Sequence, residues 1–328
     1  MTVLVTGAAG FIGSHLCHAL LDRGDWVVGV DSLNSYYDTR LKADRLARLT
    51  ARQGFTFHHL DIAEEGALAA LPGLADSRAV IHLAAQAGVR FSLEQPRAYA
   101  RANLSGHLEV LEWVRHHPAR PLLVYASSSS VYGDSTPAPF REDAPVDKPV
   151  SLYAATKRAD ELMSESYAAL YGLRQIGLRF FTVYGPWGRP DMAYWTFSDA
   201  ILSGRSIPVF NEGRLQRDFT YIDDIVQGVL RVADTPADRF ADGRGPHRIY
   251  NIGNNSPVAL LDFIRTLERV LDRPAVLEMK PMQPGDVHAT YADISALQGD
   301  YGFRPDTPLE VGLRRFAEWF VPWRESRG

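Results

Sequence analysis

The sequence predicts an α/β protein with a doubly wound parallel sheet, covered by helices on both faces, and a smaller α/β lobe. Short apolar runs alternate with segments of helical periodicity through the first half of the chain. A glycine-rich segment directly follows the first apolar run. After about residue 180, proline and glycine punctuate the chain more often and the apolar runs become shorter. The 328 residues suffice for one large domain or two coupled domains.

Six apolar runs in the first half are predicted as strands. They cover residues 3–5, 26–30, 55–60, 79–83, 122–125 and 175–180. Because helical segments separate them, right-handed crossovers and parallel pairing are expected. Further helices are predicted over residues 97–116, 151–171, 258–271 and 309–320. The predicted first domain spans residues 1–180, with 218–235 returning to it, and the second lobe spans residues 181–328.

Composition and charge limit the class of function. The formal net charge of -4 disfavours nucleic-acid binding, which needs a basic surface, and favours a small-molecule partner. With Cys17 as the single cysteine and no zinc-type spacing among the ten histidines, neither a disulfide nor a metal site is predicted. The chain starts without a basic leader, and no apolar stretch approaches roughly 18 residues. A cytoplasmic protein without membrane attachment is therefore expected.

The segment "TGAAGFIGSHL" predicts a phosphate-binding turn. Gly7, Gly10 and Gly13 follow the first strand with GxxGxxG spacing, and Phe11 and Ile12 open the helix between them. Glycine permits a tight turn and a close approach of the backbone to a pyrophosphate, and the helix N-terminus offers free amides. A plain tight turn would produce the same pattern. In this context, however, it predicts a dinucleotide cofactor in a Rossmann-type domain.

An acidic residue at the end of the second strand, Asp31, is predicted to accept hydrogen bonds from the adenosine ribose. Its charge would repel a 2′-phosphate, and no arginine follows it, so NAD is expected rather than NADP; a helix-capping role is the alternative. Asp61 is predicted near the adenine amino group. The remaining predicted cofactor contacts follow the second, third and fourth strands, and they are Ser32, Asn34, Ile62, Leu83, Ala84 and Ala85.

Tyr153 and Lys157 lie four residues apart on a predicted helix and therefore project from one face. A tyrosine with an ordinary pKa of about 10 is a weak base at neutral pH. A neighbouring ammonium and an oxidised nicotinamide both favour the phenolate. The pair is therefore predicted to remove the proton of a sugar hydroxyl and to contact the cofactor as well.

These motifs together resemble those of the extended short-chain dehydrogenase/reductases, and more closely the nucleotide-sugar 4-epimerases. The segments "TGAAGFIGSHL", "SSSSVYG", "YAATK" and "QRDFTYIDDI" occur in family order over nearly the whole chain. Three further segments, "SLNSYYDTRLK", "LAAQAGVRFS" and "FFTVYGPWGRPDMA", look most like those of the UDP-glucuronate 4-epimerases. The resemblance implies oxidation of C4 by NAD, rotation of a transient 4-keto sugar, and reduction on its opposite face.

The resemblance also assigns the serines of "YASSSSVYG". The family's catalytic hydroxyl lies four residues before the tyrosine of "VYG", which places that role on Ser128. Relatives that dehydrate or decarboxylate a nucleotide sugar carry carboxyl groups in this segment, where this chain has Ser129 and Ser130. The serine run therefore favours an epimerase, although serines at a strand end also cap helices and line turns.

The resemblance also implies contacts to the substrate. By resemblance, Arg217 matches a diphosphate clamp, Phe210 a uracil-stacking ring and Asp286 a ribose contact, whereas Gln283 replaces an arginine that many relatives carry. A uronate substrate also needs its carboxylate held, because a β-keto acid loses carbon dioxide readily. The residues proposed for this task are Ser129, Ser130, Thr182, Arg90 and Arg189. All eight contacts have ordinary structural or surface roles as alternatives.

The function predicted is an NAD-dependent isomerase that interconverts UDP-glucuronate and UDP-galacturonate. Alternatives are a UDP-glucose or UDP-N-acetylhexosamine 4-epimerase, a UDP-glucuronate decarboxylase, and a non-catalytic dinucleotide-sensing protein. By resemblance, a homodimer through a four-helix bundle is expected from the helices over residues 97–116 and 151–171. Its predicted contact residues, or else core residues of one subunit, are Leu108, Leu111, Trp113, Leu162, Tyr167 and Leu170.

Overall fold

The computed structural model describes residues 1–134, 136–281 and 289–327. Its strands are β1 Thr2–Thr6, β2 Trp26–Asp31, β3 Phe55–His59, β4 Ser77–His82, β5 Leu122–Ser128, β6 Gln175–Phe180, β7 Thr182–Tyr184, β8 Ser206–Phe210, β9 Gln216–Tyr221, β10 His247–Ile252, β11 Pro257–Ala259, β12 Val276–Lys280 and β13 Ala289–Thr290. Its α-helices are α1 Phe11–Asp22, α2 Thr39–Thr50, α3 Phe91–Glu94, α4 Pro96–Tyr99, α5 Gly106–His116, α6 Leu152–Tyr171, α7 Ala193–Leu202, α8 Ile222–Ala233, α9 Leu260–Leu271, α10 Ser295–Tyr301 and α11 Leu309–Glu325.

The chain forms two compact units. The first comprises Met1–Gly133, Val146–Arg179 and Val226–Tyr250, and the second comprises Asp134–Pro145, Phe180–Ile225 and Asn251–Gly328. These units assign residues 134–145 to the second unit and 226–250 to the first, whereas the sequence-based division cuts once near residue 180 and returns 218–235. That division stays a prediction.

A seven-stranded sheet organises the first unit, with strand order β10-β6-β5-β4-β1-β2-β3. Strands β1 to β5 pair in parallel, with β1 between β2 and β4. This doubly wound arrangement confirms the predicted fold class. All six predicted strands are present. β5 extends beyond its predicted end at Tyr125 to Ser128, so the serine run begins while the chain is still in the sheet.

The core of the first unit lies on both faces of this sheet. Fully buried Leu16, Cys17 and Leu20 of α1 contribute to it, and Val110, Leu111 and Val114 of α5 join a cluster with β-strand residues Leu4, Val80 and Leu123. Each fully buried side chain of this size contributes about 1.5–3 kcal/mol. Leu111 is therefore a core residue within one subunit, which excludes it from the set predicted for a bundle between subunits.

The second unit contains a sheet in which β9 is central. β11 pairs antiparallel with residues 216–218 of β9, while β13 and β7 pair in parallel with residues 216–217 and 219–221. A separate parallel pair joins β8 and β12. The helix predicted from residue 258 begins at Leu260, because Pro257–Ala259 is extended and pairs with β9.

The helix predicted over residues 97–116 is interrupted. It consists of α4, a π-helical turn over Ala100–Ser105, and α5. The π-helical turn carries buried Asn103, which forms hydrogen bonds with the loop after β4 and with α6. Across the described ranges, no helix has both the length and the apolar character needed to span a membrane.

Candidate functional site

The glycine turn after β1 has the geometry that its sequence predicts. Gly7 has a positive φ of 75°, and a Cβ there would lie 2.8 Å from the backbone nitrogen of Ala84. A Cβ on Gly13 would lie 2.1 Å from the carbonyl oxygen of Gly7, so no larger residue fits without moving the turn. The turn thus brings the N-terminus of α1 close to the loop after β4. The first N–H groups of a helix have no acceptor within the helix, so the start of α1 offers the donors that a pyrophosphate requires.

Asp31 is buried at the end of β2 and organises the adjacent loop. Its carboxylate accepts hydrogen bonds from the backbone N–H of Ala9 at 3.1 Å and of Leu33 at 2.8 Å. Lys42 of α2 lies 3.5 Å from it and also donates to the side-chain oxygen of Asn34 at 3.2 Å. A cation therefore lies beside Asp31. Lys42 of α2 supplies it, whereas the residue that follows Asp31 in the sequence is the neutral Ser32.

The loop after β4, residues 83–88, is tied to the rest of the first unit by polar contacts. Thr6 accepts a hydrogen bond from the N–H of Ala84 at 3.1 Å. Buried Asn103, in the π-helical turn, accepts from the N–H of Gln86 at 2.8 Å and donates to Thr156 of α6 at 2.9 Å. The loop predicted to carry the dinucleotide is thereby connected to the helix that carries Tyr153.

The other predicted cofactor contacts differ in exposure. Phe11 and Ile62 are buried, whereas Asn34 is exposed. Asp61 is half-buried and forms an ion pair with Arg101 at 3.0 Å, so its carboxylate already has a partner in this structure. Gly10 lies in the loop after β1, Ser32 in the loop after β2, and Leu83 and Ala85 in the loop after β4, whereas Ile12 lies in the first turn of α1.

The helix α6 places Tyr153 in its first turn and Lys157 one turn later. It begins at Leu152 because Ser151 caps it, accepting a hydrogen bond from the N–H of Ala154 at 3.1 Å, and it ends at Tyr171, followed by Gly172 with a positive φ. Such a cap contributes about 1 kcal/mol. The ring of Tyr153 is half-buried and packs edge to face against buried Tyr99, with centroids 6.1 Å apart.

Lys157 is buried, and two groups hold its ammonium. Its Nζ donates to the carbonyl oxygen of Ala126 at 2.9 Å and to Oδ2 of Asp160 at 3.0 Å. The first contact connects α6 to β5 two residues before Ser128. Burial raises the pKa of Asp160 to about 6, although the charge and hydrogen bond of Lys157 oppose that change.

A buried ion pair joins the same helix to the serine run. Arg179 of β6 donates through Nε and Nη2 to the two carboxylate oxygens of Glu161, at 2.8 and 2.9 Å. Ser127 donates to Glu161 at 2.6 Å, and Arg179 also donates to the hydroxyl of Tyr132 at 3.0 Å. Burial disfavours the charge on Glu161, but its bonds to Arg179 outweigh burial, and the pKa of Glu161 is lowered. The pair therefore holds both ends of the segment that contains Ser128.

Within that segment, Ser128 ends β5 and caps a short 3-10 helix over Ser129–Tyr132. Its hydroxyl oxygen accepts a hydrogen bond from the N–H of Ser130 at 3.2 Å, which leaves its own proton available for donation. Ser128 is buried, and Ser129 and Ser130 are half-buried. The capping role considered for these serines is therefore present, and it is compatible with a catalytic hydroxyl.

The residues predicted for substrate in the second unit lie on or beside its strands. Thr182 starts β7, Phe210 ends β8 and Arg217 lies on β9, all half-buried. The neighbour of Arg217, Asp218, is buried and accepts hydrogen bonds from the backbone N–H groups of Asn254, Asn255 and Ala292 at 2.9 to 3.0 Å. These bonds fix the strand that presents Arg217.

Three other residues are predicted to contact the substrate, and they are Arg189, Arg90 and Asp286. Arg189 is paired with Asp191 at 3.3 Å in the second unit, and Arg90 is exposed at the start of α3 in the first unit. Asp286 and Gln283 lie outside the described residues. The proposed contacts of these residues stay predictions.

Sequence reasoning missed four charged residues that shape this site: Lys42, Asp160, Glu161 and Arg179. Asp160 and Glu161 follow Lys157 by three and four residues, so helical periodicity alone places all three on adjoining faces of α6. Lys42 lies at the end of the quoted segment "SLNSYYDTRLK". The sequence around Arg179 does not predict that this residue is buried, because arginine is rarely buried unless it is paired.

The fold and the site together define a dinucleotide-dependent enzyme of the Rossmann type, with a Tyr and Lys pair on one helix. A model of the NAD dependent epimerase/dehydratase family matches residues 3–253. The chain belongs to this family, and its cofactor is NAD. The glycine turn that excludes a Cβ and the carboxylate of Asp31 both fit that cofactor.

Comparison with individual proteins gives the same classification. The chain is 47% identical over 332 residues to UDP-glucuronate 4-epimerase 4 of Arabidopsis thaliana, covering 98% of this chain and 76% of that protein. It is 45% identical over 331 residues to a probable UDP-glucuronate 4-epimerase of Rhizobium meliloti (strain 1021), covering 98% and 97%. The crystal structure of UDP-glucuronic acid 4-epimerase from Bacillus cereus, in complex with UDP-glucuronic acid and NAD, superposes with a TM-score of 0.90 at 34% identity, covering 98% and 100%. The predicted resemblance is confirmed.

Proposed function

We propose that this chain is a UDP-glucuronate 4-epimerase that interconverts UDP-glucuronate and UDP-galacturonate. The observation that carries the proposal is similarity along nearly the whole chain to proteins of that name, one of them solved with UDP-glucuronic acid. The serine run supports it as well, because no carboxyl group stands at positions 128–130 to promote elimination or decarboxylation.

In this proposal, Tyr153 removes the proton of the hydroxyl at C4 and later returns it to the inverted oxygen. The glycine turn and Asp31 would hold NAD, which would supply the redox chemistry by taking up the hydrogen of C4 as hydride and returning it. Lys157 favours the phenolate of Tyr153 by its charge, and Ser128 donates a hydrogen bond to the same sugar oxygen. The 4-keto sugar turns over between the two half-reactions, so the chain must hold the nucleotide more firmly than the sugar.

Nucleotide binding is assigned to Arg217, Phe210 and Asp286. An arginine fork suits diphosphate oxygens, and the backbone bonds of Asp218 support this role by fixing the strand of Arg217. The substrate carboxylate must be held in place, since the 4-keto form is a β-keto acid, which loses carbon dioxide readily if the carboxylate turns perpendicular to the ketone plane. Ser129, Ser130 and Thr182 are proposed as neutral donors, with Arg90 and Arg189 as charged ones.

An assay with three sugar nucleotides tests the substrate. Purified protein incubated with UDP-glucuronate, without added NAD, is expected to form UDP-galacturonate, and substrate deuterated at C4 is expected to keep its deuterium at that carbon. UDP-glucose and UDP-N-acetylglucosamine serve as parallel substrates. Release of carbon dioxide with a UDP-pentose would assign the chain to the decarboxylases. No conversion of any of the three, with NAD supplied, would favour a dinucleotide-sensing role.

A homodimer is also proposed, formed by α5 and α6. Leu108 on α5 and Leu162 and Leu170 on α6 are exposed, with relative accessibilities of 39%, 54% and 69%. Exposed apolar side chains grouped on adjacent helices are typical of an interface. Sedimentation equilibrium is expected to give twice the chain mass of 36.5 kDa, and a monomer mass at micromolar concentration would contradict the dimer. A cytoplasmic location remains a prediction that rests on the single, buried cysteine.

A further inference from the structure

A buried carboxylate that the proposed mechanism does not use lies against Lys157. Asp160 is 0% exposed, and its Oδ2 is 3.0 Å from the Nζ of Lys157. Its other oxygen, Oδ1, has no hydrogen-bond partner in the part of the chain that the structure describes. A buried, half-satisfied carboxylate costs folding free energy, so stability alone does not account for it.

Asp160 is the anionic side chain that faces Lys157, because the other titratable groups around the pair are uncharged or already paired. The titratable groups packed around the pair come from α6 itself, α5, β4, β5 and β6, and they are Glu161, His107, His82, Tyr125 and Arg179. Glu161 and Arg179 neutralise each other through their two hydrogen bonds. Burial lowers the pKa of both histidines and raises that of Tyr125, so all three rings are uncharged at neutral pH.

The position of Asp160 has an electrostatic consequence for Tyr153, two helical turns away. The ammonium of Lys157 favours the phenolate of Tyr153, and a carboxylate 3.0 Å from that ammonium cancels part of its field. The same carboxylate and the carbonyl of Ala126 occupy two of the three N–H donors of Lys157. The third donor has no partner among the described residues and remains for cofactor or substrate.

We propose that Asp160 is a positioning residue that fixes Lys157 and moderates its charge, so that Tyr153 works as a base in one half-reaction and as an acid in the other. This inference rests on the proposed function of Tyr153. An epimerase needs both directions at one site: the proton leaves the C4 hydroxyl for Tyr153 and returns from Tyr153 to the C4 oxygen after inversion. A phenolate stabilised too far by an unopposed ammonium would be a weak base and would be slow to remove the proton of the C4 hydroxyl.

The test is the ionisation of Tyr153 in the Asp160→Asn variant, measured on NAD-bound protein without substrate. Tyrosinate absorbance is titrated in each protein, and the same titration of a Tyr153→Phe background isolates the signal of that one residue. Removing the negative charge is expected to lower the ionisation midpoint of Tyr153 by about one pH unit. A midpoint that is unchanged or higher in the variant overturns the proposal.

Two further variants distinguish an effect of the charge of Asp160 from an effect of a change in structure. Asp160→Ser is also neutral but shorter, and it should lower the midpoint in the same direction if Asp160→Asn does not fold. Glu165→Gln removes a carboxylate from the same helix, exposed and hydrogen-bonded to His247, and is expected to leave the midpoint unchanged. An equal shift in Glu165→Gln would show a general charge effect and would also overturn the proposal.

The pH profile of activity gives a second readout. Where the protein turns over UDP-glucuronate, the acidic limb of kcat/KM is expected to move to lower pH in Asp160→Asn. The raised pKa of Asp160, about 6, means that the native carboxylate is itself neutral below that pH, so the two profiles should converge there. The absorbance titration needs no turnover. A protein inactive on every sugar nucleotide would therefore refute the proposed function without deciding the role of Asp160.

Discussion

Replacing Tyr153 by phenylalanine is expected to lower kcat for UDP-glucuronate epimerisation by at least about 10³-fold. The change removes the one oxygen that accepts and returns the C4 proton, and a positioned acid or base commonly contributes factors of this size. The ring remains, so its edge-to-face packing with Tyr99 is preserved. Substrate affinity should change by less than about tenfold, since a single hydrogen bond is lost. Turnover and calorimetric binding of UDP-glucuronate measure the two quantities separately.

A matched control is available on the same helix. Tyr167→Phe also removes one hydroxyl from α6, and that hydroxyl donates to Glu112 away from the glycine turn and the serine run. Its kcat should stay within about threefold of the native value. If Tyr153→Phe keeps near-normal turnover, Tyr153 has no acid-base role and the proposed mechanism fails.

Much of the first unit follows from local sequence. The six apolar runs predict the strands and the glycine turn predicts the N-terminus of α1, because hydrophobic periodicity and turn geometry are set by a few neighbouring residues. The ends of elements were less predictable. Ser128 belongs to β5 because its backbone continues the sheet, and only the tertiary pairing reveals this. Val258 and Ala259 were predicted as the start of a helix, but they belong to a strand because pairing with β9 overrides helical periodicity.

The candidate site divides in the same way. Tyr153 and Lys157 are recognisable because their spacing encodes a shared helix face. The partners of the pair depend on tertiary structure. Arg179 lies on a strand and is 18 residues from Glu161 in the sequence. No pattern near Arg179 predicts a buried charge. The same holds for Lys42, whose ammonium reaches Asp31 only because tertiary structure brings a residue of α2 to the end of β2.

Replacing buried Glu161 is expected to cause a large loss of stability. Glu161→Gln should lower the free energy of unfolding by about 3–5 kcal/mol, because it leaves the guanidinium of Arg179 buried without a carboxylate. Ser127 also loses its charged acceptor. Thermal unfolding followed by circular dichroism measures the effect as a fall in Tm of several degrees. Because the pKa of Glu161 is lowered from its ordinary value of 4.5, its contribution is present above that pH and disappears as pH falls through the lowered value.

Two comparisons make this prediction specific to the buried pair. Arg158 contacts the same carboxylate at 3.0 Å but is partly exposed, so Arg158→Gln should cost less than about 1 kcal/mol. The double variant Glu161→Met with Arg179→Met removes both charges and should recover most of the lost stability. Its turnover should nevertheless remain low, because Ser127 and Tyr132 lose the contacts that hold the segment of Ser128 against α6. A Glu161→Gln protein that melts at the native temperature would show that this pair does not anchor the helix to the serine run.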